Sequence, residues 1–170
     1  MSFSLLPTMM APTVTVLQPE MLKQKGIRLL MLDFDITIVP YTTNIAQPEM
    51  DRWLKEMLQS DVKLCVVSNS RNDRVKAFCA SYGLPCITRA KKPFSKGIRE
   101  CMTCFDIGAG ECALAGDQIF TDTLGGNSAG VRTILVKPIN NHNFWLKARH
   151  VLEKPWIYDA RKRRVHHEEH

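Results

Sequence analysis

The fold predicted for this chain is a three-layer α/β domain on a mainly parallel five-stranded sheet. Two observations predict it. From about Ile27 onward, short apolar, β-branched runs alternate with segments of helical periodicity, the pattern of strands buried on both faces with helices between them. The polar residues best suited to chemistry follow directly after those runs, where the carboxyl ends of parallel strands place a site.

Residues 27–34 are a continuous apolar run ending in acids, the first strand. Residues 48–58 set Met50, Trp53, Leu54, Met57 and Leu58 on one helical face. Residues 62–67 are the second strand. Residues 73–82 predict a helix with Val75, Phe78, Cys79 and Tyr82 inward and Gly83 as its C-cap. A short third strand over 86–88 precedes a helix over 95–104. Residues 112–115 are the fourth strand, with a short helix near 122–128 behind it. Residues 133–136 are the fifth strand and 143–152 a final helix. Residues 1–26 are expected to form an arm packing on a core over 27–154, and 155–170 a basic tail.

A length of 170 residues suits one compact domain. A content of 45% hydrophobic and 24% charged residues excludes a disordered chain. No apolar run is long enough to span a bilayer. The apolar stretch 5–10 is short and has no basic residue before it, so it does not read as a secretory leader. The six cysteines lie in apolar segments and read as reduced thiols of a cytoplasmic protein. Cys101 and Cys104 form a C-x-x-C, but a structural zinc site needs a second ligand pair. Their spacing instead sets them on one helix face beside Phe94, Ile98 and Phe105, as core packing. The net charge of +6 is partly local, in the run Arg161, Lys162, Arg163, Arg164. Such a run is a solvated tail or an attractor of anionic lipid or nucleic acid. Nucleic acid is not expected as a partner, and an oligomer is possible.

Each strand end carries a candidate. Asp33 and Asp35 alternate onto one side after the first strand, a pair of like charges that calls for a cation or a shared proton. After the second, Ser68 and Asn69 offer a hydroxyl and backbone N–H groups before a helix, a phosphate cradle or equally a helix cap. After the third, Lys91 and Lys92 can neutralise phosphate oxygens or form a solvated basic loop. After the fourth, Asp117 and Asp122 bring two more carboxylates to the same rim, a hard-oxygen set that suits Mg²⁺. Each signal is modest alone. Together, in sheet order, they point to phosphoryl chemistry.

These residues resemble the haloacid dehalogenase-like (HAD) phosphatases, through Asp33-x-Asp35-x-Thr37, the strand-end Ser68, Lys92 before proline, and Gly116-Asp117 with Asp122. The chain looks most similar to the YqeG-like HAD IIIA-type phosphatases, through the runs at 32–40, 67–69, 90–93 and 116–127. The resemblance implies a Rossmann-like HAD fold and a Mg²⁺-dependent phosphomonoester hydrolase. By it, Asp33 is the nucleophile and a metal ligand, and Asp35 is the general acid and base, meeting the metal through its backbone carbonyl. Asp117 and Asp122 complete the metal site, Ser68, Asn69 and Lys92 bind phosphate, and Thr37 braces the loop. One departure is Ile36, where that family usually has Asn.

Segments 38–64 and 70–89 each hold one helix, which leaves no room for a large cap domain. An open site suits a macromolecular or membrane-bound phosphate. The resemblance implies phosphatidylglycerophosphate, met by a cytoplasmic enzyme peripheral at the inner face of the membrane. A soluble sugar phosphate or nucleotide is the alternative substrate. A binding module on a decayed phosphatase scaffold is the alternative of another class. A receiver domain is disfavoured, because its acceptor Asp should end the third strand, where Arg89–Lys92 stand here.

Overall fold

The computed structural model describes residues 4–71 and 73–139. The predicted helix over 143–152 and the basic tail lie outside the described residues. Within them the chain runs β1 (Met9–Ala11), α1 (Pro19–Gln24), β2 (Leu29–Leu32), α2 (Pro48–Leu58), β3 (Lys63–Val67) and α3 (Asp73–Tyr82). It continues through β4 (Cys86–Ile87), α4 (Lys96–Phe105), β5 (Cys112–Gly116), α5 (Leu124–Ala129) and β6 (Arg132–Val136). All strands pair parallel, in the order β1-β6-β5-β2-β3-β4.

Among the described residues the sheet has six strands, not five. The extra one comes from the N-terminal segment, where Met9, Met10 and Ala11 pair with Ile134, Leu135 and Val136. Three residues are too few to show a period of two, so only pairing defines this edge strand. Thr8 and Thr133 tie its start, each backbone N–H donating to the other residue's hydroxyl at 3.1 Å.

The alternation of side chains divides each central strand between two cores. Leu30, Leu32, Leu64, Val66, Ala113 and Ala115 join one cluster with residues of α2 and α3. Leu29, Met31, Cys65, Val67, Cys112 and Leu114 join the other with Ile98 and Cys101 of α4 and Ala129 of α5. A strand whose odd and even residues are both apolar must be covered on both faces, hence three layers. Trp53 anchors α2 by donating its indole N–H to the Leu17 carbonyl at 3.0 Å. The helix carrying the C-x-x-C buries Cys101 but exposes Cys104. Phe94 lies before that helix and is 73% exposed. The shared packing face expected for Cys101, Cys104 and Phe94 is therefore not formed, because α4 starts two residues beyond Phe94.

From β2 the chain moves outward to β3 and β4, then crosses back through α4 to β5 and β6 on the other side. The carboxyl end of β2 therefore lies at the switch in winding direction, where adjacent loops diverge and leave a crevice. Asp33 is the first residue past β2.

Candidate active site

Asp33 continues the ladder by one bond, its N–H donating to the Ala115 carbonyl at 2.9 Å. The chain then turns, with Ile38 N–H on the Phe34 carbonyl and Ile36 N–H on the Val39 carbonyl. Ile36 takes φ 65°, a left-handed conformation that Asn visits readily and a β-branched residue resists. A single such residue costs about 1–2 kcal/mol. Its side chain is 1% exposed, and burying an isoleucine returns about 1.5–3 kcal/mol. Burial thus offsets the strain of the departure at this position. Thr37 is buried, and its hydroxyl has no hydrogen-bond partner among the described residues.

Lys92 is buried and reaches two carboxylates: its Nζ lies 2.7 Å from Asp33 Oδ1 and 2.7 Å from Asp122 Oδ1. Asn69 holds the Lys92 backbone at both ends. Its amide donates to the Lys92 carbonyl at 2.8 Å, and its Oδ1 accepts the Lys92 N–H at 2.7 Å. The Asn69 side chain, expected on the phosphate, is thus engaged with the lysine loop. Ser68 is buried and caps the turn, its Oγ accepting the Ser70 N–H at 3.0 Å. Gly97 of α4 lets the loop in, since a Cβ there would stand 2.7 Å from the Ala90 Cα.

Asp117 follows β5 directly, and Asp122 lies five residues further, in a π-helical turn over Ile119–Thr123. The Thr123 N–H donates to the Gln118 carbonyl, five residues back, at 3.2 Å. This wider turn swings the Asp122 carboxylate back over Gly116, where its Oδ2 accepts the Gln118 N–H at 3.2 Å. A Cβ on Gly116 would stand 2.7 Å from the Asp122 Cβ. Gly116→Ala is therefore expected to displace Asp122, lowering kcat on an aryl phosphate by about a hundredfold. Overpacking there should cost about 1–3 kcal/mol of stability. Assay and thermal melt together check this; unaltered kinetics would show that Asp122 need not sit over Gly116.

Asp33, Asp117 and Asp122 are all buried and each offers a carboxylate oxygen, these lying within 4.8 Å of one another. Burial pushes Asp33 up from its ordinary range, Lys92 opposing and Asp117 adding to the rise. Burial likewise pushes Asp122 up to about 7, against Lys92 and with Asp33 and Asp117. Burial alone would lower Lys92, but Asp122 and Asp33 outweigh it and hold its ammonium above the usual range. Three buried carboxylates around one ammonium leave excess negative charge, which a hard divalent cation fits.

Asp35 stands apart from that trio. Its Oδ1 accepts from Arg74 Nη1 at 2.9 Å. The other arm of Arg74 donates to the carbonyls of Pro40 and Thr43, at 2.7 and 3.0 Å. The guanidinium also lies 5.2 Å from the centre of the Phe34 ring. Arg74 thus ties α3 to the loop after β2 and aims Asp35. Burial, the main influence, raises the Asp35 carboxyl above its ordinary range, while Arg74 pulls it down. The sequence reading missed Arg74, since it follows no strand directly; only helix packing brings it here. A cavity of about 320 Å³ opens at this edge, lined by Asp33, Asp35, Tyr41, Ser68, Lys92 and Gln118 among others.

A parallel α/β sheet with this acid–lysine site at its switch point is the framework of a phosphatase, a phosphoric monoester hydrolase. The chain belongs to the family described as mitochondrial PGP phosphatase, whose model matches residues 2–140. It is similar to the probable phosphatase YqeG of Bacillus subtilis (strain 168), with 32% identity over 95% of this chain and 94% of that protein. Among solved structures it is similar to the cobalt-bound deoxy-D-mannose-octulosonate 8-phosphate phosphatase of Haemophilus influenzae. That match has a TM-score of 0.54 and 13% identity over 75% of this chain and 77% of the other. The 3-deoxy-D-manno-octulosonate 8-phosphate phosphatase of Yersinia pestis matches at TM-score 0.53 and 15% identity, over 76% and 73%. At such identities these two structures speak for the fold alone. Among the described residues no helix is long and apolar enough to cross a membrane.

Proposed function

We propose that this phosphatase hydrolyses phosphatidylglycerophosphate in phospholipid synthesis, with Mg²⁺ and through an aspartyl-phosphate on Asp33. The observation that carries the chemistry is Lys92 set between Asp33 and Asp122, with Asp117 alongside. Asp33, Asp117 and the Asp35 main-chain carbonyl would hold the ion, with Asp122 orienting them. Bound there, Mg²⁺ supplies charge neutralisation between the carboxylates and the substrate dianion.

The chain's own residues divide the work. Lys92 and Ser68 bind the non-bridging phosphoryl oxygens. A carboxylate oxygen of Asp33 attacks phosphorus, and the ester P–O bond breaks as Asp35 donates its proton to the leaving alkoxide. Asp35 then takes a proton from water as that water attacks the phosphorus of the acyl phosphate. Orthophosphate leaves, and Asp33 is regenerated. Arg74 keeps Asp35 pointed at the leaving group, and Asn69 keeps Lys92 in place.

The family's description and the open cavity support a lipid phosphate. Among the described residues, segments 38–64 and 70–89 each hold one helix, and no large cap covers the cavity. The test is phosphate release from phosphatidylglycerophosphate in mixed micelles, with Mg²⁺ or EDTA. Release that stops in EDTA is the expected result. An enzyme that ignored this lipid but cleaved a sugar phosphate or nucleotide efficiently would move the substrate to the soluble class.

A further inference from the structure

Among the described residues, six large hydrophobic side chains are exposed: Val16, Tyr41, Ile45, Leu58, Phe94 and Phe120. Four of the six stand on three loops that leave the carboxyl ends of the strands. Tyr41 and Ile45 lie on the loop between β2 and α2, 46% and 77% exposed. Phe94 lies between β4 and α4, two positions beyond Lys92, and is 73% exposed. Phe120 is 39% exposed in the π-helical turn, between Gln118 and Thr121, which both line the cavity. Tyr41 lines the cavity itself. The apolar tips therefore stand around the site's mouth, not on a face remote from it.

Among the described residues, the exposed charges on the loops of this edge have one sign. On the loops after β3, β4 and β6, Arg71, Arg89, Lys91 and Lys137 are exposed. The carboxylates of these loops, Asp33, Asp35, Asp117 and Asp122, are drawn inward and held by Lys92, Arg74 or one another's site. Among the residues next to the loops, Lys96 is exposed in the first turn of α4, as are Glu49 in α2 and Asp73 in α3. Glu49 accepts from the Thr15 hydroxyl at 2.6 Å.

We propose that this rim docks on an anionic phospholipid bilayer, with Ile45, Phe94 and Phe120 entering the interface and Arg71, Arg89 and Lys91 meeting its headgroups. Apolar tips with basic neighbours are what such an interface rewards: the first by burial from water, the second by surface potential. A tyrosine beside them suits the headgroup level, where an apolar ring and a polar tip are both accommodated. The docked orientation turns the open cavity toward the membrane, so a headgroup phosphate enters without the lipid leaving the bilayer. This surface rests on the lipid-phosphate reading for its purpose, but its binding is measured apart from it.

The test is flotation of the full chain with vesicles of phosphatidylcholine and phosphatidylglycerol in equal parts, against phosphatidylcholine alone. The wild type is expected to float with the anionic vesicles, less so at high salt. The triple variant Ile45→Ser, Phe94→Ser, Phe120→Ser retains the basic run at 161–164. It should bind about a hundredfold more weakly while its turnover of a soluble aryl phosphate stays unchanged. Equal binding by the variant would overturn the proposal, as would failure of the wild type to bind. A wild-type dimer that the triple variant turns into a monomer would assign the rim to a second copy instead. Phosphatidylglycerophosphate built into the same vesicles separates the two readings. Rim-dependent binding without cleavage of that lipid would keep the surface and remove the substrate. Cleavage with equal binding by both proteins would do the reverse.

Discussion

Lys92→Met is expected to lose both activity and stability, each by a large margin. The ammonium is buried and contacts Asp33 and Asp122 at 2.7 Å each. Methionine keeps most of the volume but removes the ammonium that Asp33 and Asp122 contact. Removing one partner of a buried ion pair costs about 3–5 kcal/mol, because the remaining charge stays buried and uncompensated. At this chain length that corresponds to a fall in Tm of roughly 10 °C. Part of the loss is recovered by protonation of Asp122, already pushed up to about 7, so the deficit should be smaller in acid. Adding Asp122→Asn to Lys92→Met should also recover stability, since it removes one of the stranded charges. Activity should not recover, because the phosphoryl oxygens have lost their ammonium. The checks are melts of the single and double variants and kcat on an aryl phosphate. A single variant that melts with the wild type would show that the cluster does not depend on Lys92.

Asp33→Asn is expected to do the opposite to stability while abolishing turnover. The substitution preserves shape and removes one negative charge from a site with an excess of it, so the metal-free protein should melt at or above the wild-type temperature. Lys92 keeps its pair with Asp122. An amide oxygen is a poor nucleophile and cannot form the acyl phosphate, so kcat should fall by about 10⁴-fold or more. Turnover within tenfold of wild type would reject Asp33 as the nucleophile and require direct attack by water. The two variants thus separate charge balance from covalent chemistry within one site.

Much of this molecule is legible in the order of its residues. Continuous apolar runs such as Leu29–Leu32 and Cys112–Gly116 require cover on both faces, which gives the parallel sheet and the three layers. Chain order then places Asp33, Ser68, Lys92 and Asp117 after successive strands, at one edge. A short N-terminal strand carries no such signal, because three residues have no readable period. Its partner Ile134–Val136 is more than a hundred residues away.

The site's detail divides in the same way. Sequence by itself determined which carboxylates and which lysine would share an edge, because a parallel strand can deliver its next residue to one end only. The tertiary structure alone decided how they meet. Packing of α3 brings Arg74 to Asp35 and leaves Asp33, Asp117 and Asp122 as the carboxylate trio. A π-helical turn over Gly116 folds Asp122 back toward Lys92, and Asn69 clasps the lysine loop instead of facing outward. Burial of Ile36 decides that a β-branched residue can hold a left-handed turn. Each of these depends on contacts between segments far apart in the chain, whose energies no local pattern of residues encodes.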